Sequence, residues 1–503
     1  MLLLALATPS SASDTRVIEA LKSGRITVAR ALIQQRVDVK AALPDGTTAL
    51  HWAAEIDDLD LVRALIAAGA DVNAASAFGV TPLWLACQNG NAAVIAVLVR
   101  AGANPNQPLP SGETPLMTAS RTGRPDAVSV LLEAGANVSA KETVAGQTPL
   151  MWAIAEGHRE VVKVLLKAGA SAHEPSRRGF TPLLFAARTG DIEIAKMLIA
   201  AGVDVNETAR DGTTALVIAT IRSNVPLSTF LLDAGANPNL GPGFTPLHWV
   251  VGDWTSELAG EKTNARPEGT EWDQLLPLPA GAREEFITLL LSHGADVNAR
   301  ARAVPRATVG IGGGGGGMGM GIGVGAGSAP RVTRLSGATP FLIAAQHSDL
   351  PLMRFLLSKG ADPSIRTDRN VTALMAAAGV DSGESSGYTG VPEADALAAV
   401  KLCLELGNDP KVVSTDGENA LHGAAYRGNA GGNQLAALLI DLGVEVGQKN
   451  KRGWTPVTLA EGIYTQNSNS KNPELEQLLL AHGGRPSPPN IERDAYAVIV
   501  DEP

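Results

Sequence analysis

Cysteine is nearly missing from this chain: Cys87 and Cys403 are the only two in 503 residues. That excludes a disulfide framework and a thiolate metal cluster. Aromatic residues make up 4%, so the core has to be assembled from small aliphatic side chains. Such a core suits helices in close contact better than a broad sandwich. No stretch reaches the roughly 18 consecutive apolar residues of a membrane span. An excess of basic charge is missing too. Lys and Arg number 41 against 51 Asp and Glu, a net charge of −10, which leaves no general footprint for nucleic acid. The H-E-x-x-H and C-x-x-C patterns of metal and redox sites do not occur.

What is present is enough to fold. Apolar residues make up 45%, and Gly and Pro together are 85 of 503, below the roughly 25% that marks a low-complexity chain. Length alone would suggest several ordinary domains, but an internal repeat overrides that expectation. A Gly-x-Thr-(Pro or Ala)-Leu block begins at Gly46, Gly79, Gly112, Gly146, Gly179, Gly212 and Gly243, in steps of 33, 33, 34, 33, 33 and 31. Further copies begin at Gly337, Asn370, Gly417 and Gly453 after steps of 94, 33, 47 and 36.

Each block reads as a helix start. Thr81, Thr114, Thr148, Thr181, Thr245, Thr339 and Thr455 stand where a hydroxyl can accept from free backbone N–H groups, and Pro follows at the first helical position. A small pair comes next, such as Ala53-Ala54, Ala186-Ala187, Ala344-Ala345 or Ala424-Ala425, and lets neighbouring helices approach closely. A second apolar run, such as Val161, Val164, Leu165 and Leu166, or Val94, Val97 and Leu98, has the spacing of one helix face. It stops at a Gly placed for the left-handed C′ position: Gly69, Gly102, Gly135, Gly169, Gly202, Gly235, Gly294, Gly360, Gly407, Gly443 and Gly483. One such helix pair cannot bury its own apolar face, so stability has to come from stacking on its neighbours.

The run from Asp45 to Ala54, the 33-residue period and the Gly69-Ala70-Asp71-Val72-Asn73 link resemble the ankyrin repeat. The resemblance covers residues 14 to about 487, with Asp14 to Lys40 as a divergent first copy. It implies an all-α fold: an ankyrin-repeat solenoid of about twelve helix-turn-helix repeats with finger loops. The stretches from Thr372 to Gly379, Leu404 to Asp409 and Gly453 to Pro456 also resemble long exported ankyrin proteins of bacteria, for which no activity is implied.

Several segments depart from the repeat. Residues 1–13 read as the end of a secretory leader with a small-x-small site near Ala12, or else as a frayed tail. The first reading predicts a periplasmic or secreted protein, the second a cytoplasmic one. Insertions are expected at 253–281, which is polar and carries Asp253 and Glu257, and at 299–336, where twelve of residues 310–327 are Gly. The glycine run lacks the Gly-Lys-(Ser or Thr) ending of a phosphate loop and reads as a loop with no side chains to bury. Shorter insertions at 381–392 and 462–472 read as surface decoration. The tail, 488–503, ends in a strand-like run from Ala495 to Val500 that is expected to cover the last repeat.

No catalytic set emerges. The resemblance gives His51, His248 and His422 the role of tying adjacent repeats, and the other histidines fall singly in different repeats with no i,i+4 partner. Cys87 and Cys403 lie too many repeats apart to bridge. Function is therefore expected on the surface: a non-enzymatic scaffold, without cofactor or metal, that holds an acidic partner protein on the groove of a monomeric stack. The expected groove residues are Arg121, Arg188 and Arg222 at the ends of the first helices, Arg177, Arg178 and Arg210 on the fingers, and the aromatics Phe180, Phe244 and Trp454. The competing readings are an enzyme with its site on 253–281 and a small-ligand or glycan binder.

Overall fold

The computed structural model describes residues 14–252, 278, 281–302, 335–380, 391–428, 431–462, 464–465, 468–469 and 471–491. The chain forms two compact units, Met1–Arg210 and Asp211–Pro503. In the first, helices pair as α1 (Arg16–Lys22) with α2 (Ile26–Gln34), α3 (Ala49–Glu55) with α4 (Leu59–Ala67), α5 (Pro82–Asn89) with α6 (Ala92–Arg100), α7 (Pro115–Thr122) with α8 (Pro125–Glu133), α9 (Pro149–Ala155) with α10 (Arg159–Lys167), and α11 (Pro182–Thr189) with α12 (Ile192–Ala200). In the second they pair as α13 (Ala215–Ile221) with α14 (Val225–Asp233), α15 (Pro246–Val251) with α16 (Ala282–Ser292), α17 (Pro340–Gln346) with α18 (Leu350–Ser358), α19 (Ala373–Ala378) with α20 (Glu393–Glu405), α21 (Ala420–Tyr426) with α22 (Asn433–Asp441), and α23 (Pro456–Glu461) with α24 (Pro473–Ala481). Within each unit, first helices pack on first helices, second helices on second helices, and contacts stay between adjoining pairs.

The helix starts follow the threonine chemistry. Thr81, Thr114, Thr148, Thr181, Thr339 and Thr455 each accept the N–H three residues on, as Thr81 does from Trp84 at 3.2 Å. Thr48 and Thr245 instead meet an imidazole. Nδ1 of His51 and of His248 lies 2.8 Å from the threonine hydroxyl and accepts the threonine backbone N–H at 3.1 and 3.2 Å. Nε2 then donates to the next repeat, at Val80 C=O (2.9 Å) and Ala338 C=O (3.2 Å). His422 does the same between Asn419 N–H and Trp454 C=O, both at 3.2 Å. The histidine ties are therefore present, and they use the neutral Nε2–H form.

The Ala-Ala pairs are buried between helices, and the second helices bury a narrow stripe. In α10 that stripe is Val161, Val162 and Leu165, with Val164 and Leu166 half-buried at its edge. Each such leucine or valine contributes about 1.5–3 kcal/mol. All eleven glycines expected to stop a second helix have positive φ, between 77° and 96°. Asparagines bind successive links together: Asn106 Nδ2 donates to Gly135 C=O at 2.9 Å while its Oδ1 accepts Asn137 N–H at 2.7 Å.

Several fingers join the next through one backbone bond. Ala77 N–H donates to Asp45 C=O (2.7 Å), Thr143 to Ser111 (2.9 Å) and Arg177 to Ala145 (2.8 Å). The second unit repeats this with Asp368 to Ser336, Thr415 to Arg369 and Lys451 to Asp416. At the finger before Gly112 the donor position holds Pro110, so no such bond reaches Phe78 C=O. The 462–472 insertion adds a two-residue antiparallel ladder, Tyr464–Thr465 with Ser468–Asn469, a small departure from an all-helical expectation. Residues 1–13, most of 253–281, residues 303–334 of the glycine-rich insertion and the strand-like run 495–500 lie outside the described residues.

Candidate functional site

No group of three His, Cys, Asp or Glu side chains that could hold a metal exists among the described residues. Burial pushes the Cys403 thiol up to about 12 and the Cys87 thiol higher still, so neither is a nucleophile at neutral pH. His158 packs its ring over Gly123 and pairs Nε2 with Arg121 C=O at 2.9 Å. One Gly-x-Ser-x-Gly string, Gly383 to Gly387, is in the sequence but falls outside the described residues. Helix α19 precedes it, not the strand that a nucleophile elbow requires. Asp253 and Glu257 also lie outside the described residues.

The surface of the first unit holds most of the expected residues. At the ends of the first helices, Arg121 lies over the Trp152 ring at 5.5 Å and reaches Glu113 at 3.7 Å. Arg188 lies over Phe185 at 5.3 Å, and Phe180 meets the same ring edge-on at 6.1 Å. Both arginines are thus held on aromatic faces. Trp52, Trp84 and Trp152 are half-buried, with indole N–H groups closed off from solvent and without an acceptor. They therefore offer ring faces, not hydrogen bonds. The residues just after the block glycines, Thr47, Val80, Glu113, Gln147 and Phe180, are all half-exposed.

The second unit corrects two expectations. Phe244 is 3% exposed and Trp454 1%, so neither can anchor a partner. Phe244 stacks on His248 at 5.6 Å and meets Trp249 edge-on at 5.7 Å. Trp454 lies under Arg452 at 5.1 Å, its N–H held by Asn450 Oδ1 at 3.0 Å and its C=O by His422. Their equivalents Thr213, Ala338, Val371 and Glu418 are buried as well. Arg222 is half-buried at the C-terminal cap of α13, and its unit lacks the open row found in the first.

The finger edge of the first unit carries what the sequence reading missed. Phe78 is 76% exposed and Val144 77%. A finger one residue longer than its neighbours, the source of the 34-residue step, projects Val144. The Glu142 carboxylate holds that finger by accepting N–H from Val144 (2.5 Å), Ala145 (2.8 Å) and Gln147 (2.8 Å). Further along, Arg177, Arg178 and Arg210 are exposed and form no ion pair among the described residues. The stems of Arg177 and Arg210 lie against Gly146 and Gly179 of the preceding fingers, which leaves the guanidinium heads in solvent. The two residues before each block glycine were the available signal, and the sequence reading used them only for the arginines.

Comparison with known proteins agrees with the geometry. A family profile described as "Ankyrin repeats (3 copies)" matches residues 3–76, 56–142, 83–176, 139–209 and 183–253, and one described as "Ankyrin repeat" matches 336–368. The mouse (Mus musculus) protein "Ankyrin repeat and SOCS box protein 16" is 32% identical over 156 residues, which are 31% of this chain and 32% of that protein. The chain thus spans about a third of the length of that curated relative. The crystal structure of the human ASB11 ankyrin repeat domain is 29% identical, with a TM-score of 0.40, over 44% of this chain and 99% of that one. No helix among the described residues is long and apolar enough to cross a membrane.

Proposed function

The chain belongs to the ankyrin-repeat family, and from that premise we propose that it is a non-enzymatic scaffold whose first unit holds a partner protein on its groove and finger edge. One observation carries this reading. Among the described residues, where few large apolar side chains are exposed, Phe78 and Val144 stand out most in solvent, on the same edge as three arginines that form no ion pair there. Large exposed apolar groups beside unpaired arginines are the composition of an interface hot spot. Arg121, Arg188 and Phe180 form the adjoining groove, fixed by aromatic contacts and therefore ordered before a partner arrives. The leader-like residues 1–13 support action outside the cytoplasm, as a monomer in the periplasm or secreted.

Photo-crosslinking tests the surface. Benzoylphenylalanine at Phe78 or Phe180 of the full chain is expected to give discrete protein adducts in cells. The same group at Lys163, exposed on the second helix α10, is expected to give none of them. Identical adducts from all three positions, or none from Phe78 and Phe180, would refute the assignment.

A further inference from the structure

We infer that the occupant of the first unit's finger edge is an extended acidic peptide segment with its apolar residues towards one end and its carboxylates towards the other. This rests on the reading of that edge as the partner-binding face, and goes further by fixing the chemistry, order and spacing of what binds. The two residues before each block glycine run Pro44-Asp45, Ala77-Phe78, Pro110-Ser111, Val144-Ala145, Arg177-Arg178 and Arg210-Asp211. Asp45 stands at one end, the exposed Phe78 and Val144 in the middle, and the three arginines towards the other with Asp211 beyond them, so a ligand with apolar residues towards one end and carboxylates towards the other is complementary.

Two glutamates on the neighbouring links are engaged elsewhere. Glu174 is paired with Lys141, and Glu207 accepts from the Thr181 hydroxyl. Three guanidinium groups on two successive fingers, without an ion pair among the described residues of a chain with net charge −10, suit carboxylates from outside. A nucleic-acid backbone would need cations along the whole track, and the fingers of Asp45, Phe78, Ser111 and Val144 supply none at that position.

Spacing follows from the stack. Packed helices stand about 8–10 Å apart, so Phe78 and Val144, two fingers apart, are separated by roughly 18 Å, and the arginines begin about one step beyond. An extended chain rises about 3.3 Å per residue. The ligand's apolar residues are therefore about five or six positions apart, with carboxylates starting about three positions later. The extended form is favoured by Pro110, which leaves Phe78 C=O without the finger bond that Asp45, Ser111 and Ala145 accept. An incoming strand N–H can take that place.

The test uses fluorescein-labelled synthetic peptides with the full chain, read by fluorescence anisotropy. One peptide carries two leucines about six positions apart, followed after about three more by a run of Asp and Glu. The second has the same composition with acids and leucines interspersed, and the third has Lys for each acid. The first is expected to bind about tenfold or more tightly than either of the others, and to weaken as salt rises. Arg177→Glu with Arg178→Glu and Arg210→Glu, or Phe78→Ser with Val144→Ser, is expected to cost about tenfold each. All five side chains are exposed, and unchanged circular dichroism will certify the variants; Arg→Gln at the same three sites supplies a milder series.

Equal binding of the first two peptides, or no loss on reversing the arginines, would overturn the proposal. Preferred binding of the lysine peptide, abolished by Phe78→Ser with Val144→Ser, would overturn the acidic occupant yet leave the partner-binding face standing. Failure of all three peptides, with crosslinks from Phe180 unaffected by those two serines, would remove the finger edge from both readings.

Discussion

Moving the protein from pH 7 to pH 5 should loosen the second unit, and the buried histidines set the amount. His248 and His422 are fully buried. In each, Nδ1 already accepts a backbone N–H and Nε2–H already donates to a carbonyl, so a second ring proton would displace that N–H, although at His422 Nδ1 also lies 2.9 Å from Asn419 Oδ1. Burial accordingly pushes both imidazoles down from 6.5 to about 4. The unfolded chain takes up these protons near pH 6.5, while the folded chain refuses them until about pH 4. Their stabilisation is whole above 6.5 and is lost as pH falls through that window, at about 1.4 kcal/mol per pH unit for each histidine. At pH 5 the loss is about 2 kcal/mol per ring and about 4 kcal/mol for the two. Carboxylates held below their usual range, such as Asp368 beside Ser336 and Arg300, weaken the fold only at lower pH. Amide hydrogen exchange on peptides from α15, α17, α21 and α23, corrected for the intrinsic rate, measures the opening free energy at each pH. His248→Gln with His422→Gln should flatten the slope whatever it does to the absolute stability. A flat wild-type profile between pH 6.5 and 5, or an equal slope in the variant, would refute the argument.

Two further outcomes follow from geometry already described. Asn106→Ala removes both of that side chain's bonds between links and is expected to cost about 1–2 kcal/mol in urea unfolding; an unchanged midpoint would mean water replaces the bonds without loss. Cys87 and Cys403 are buried with raised thiol pKa values, so Ellman's reagent should label neither in the native protein and both in urea, and rapid native labelling of Cys87 would contradict the packing of α5.

How legible each feature was in the sequence depended on the range of the forces behind it. The threonine caps, the C′ glycines and the Ala-Ala pairs answer to chemistry within a few residues, and the structure places them where the pattern did. Asn370, standing where other blocks have Gly, takes a φ of 62°, a conformation asparagine tolerates. Exposure was a different matter. Phe180, Phe244 and Trp454 occupy one register position, yet only Phe180 is open, because burial there depends on packing that the repeat pattern does not encode. Phe78 and Val144 were passed over for a related reason. An apolar residue reads as core until the turn that ejects it is seen, and the Glu142 carboxylate that shapes the longer finger is itself three-dimensional information.

Within each unit a helix pair touches only the pairs beside it. A length of such a chain, drawn out between two optical-trap beads, would surrender pair by pair in a sawtooth, each break sparing the links beyond its neighbours. The same wiring lets duplication or loss of a pair shorten or extend the molecule without rewriting its distant parts, so its reach can be edited while its grip is left alone.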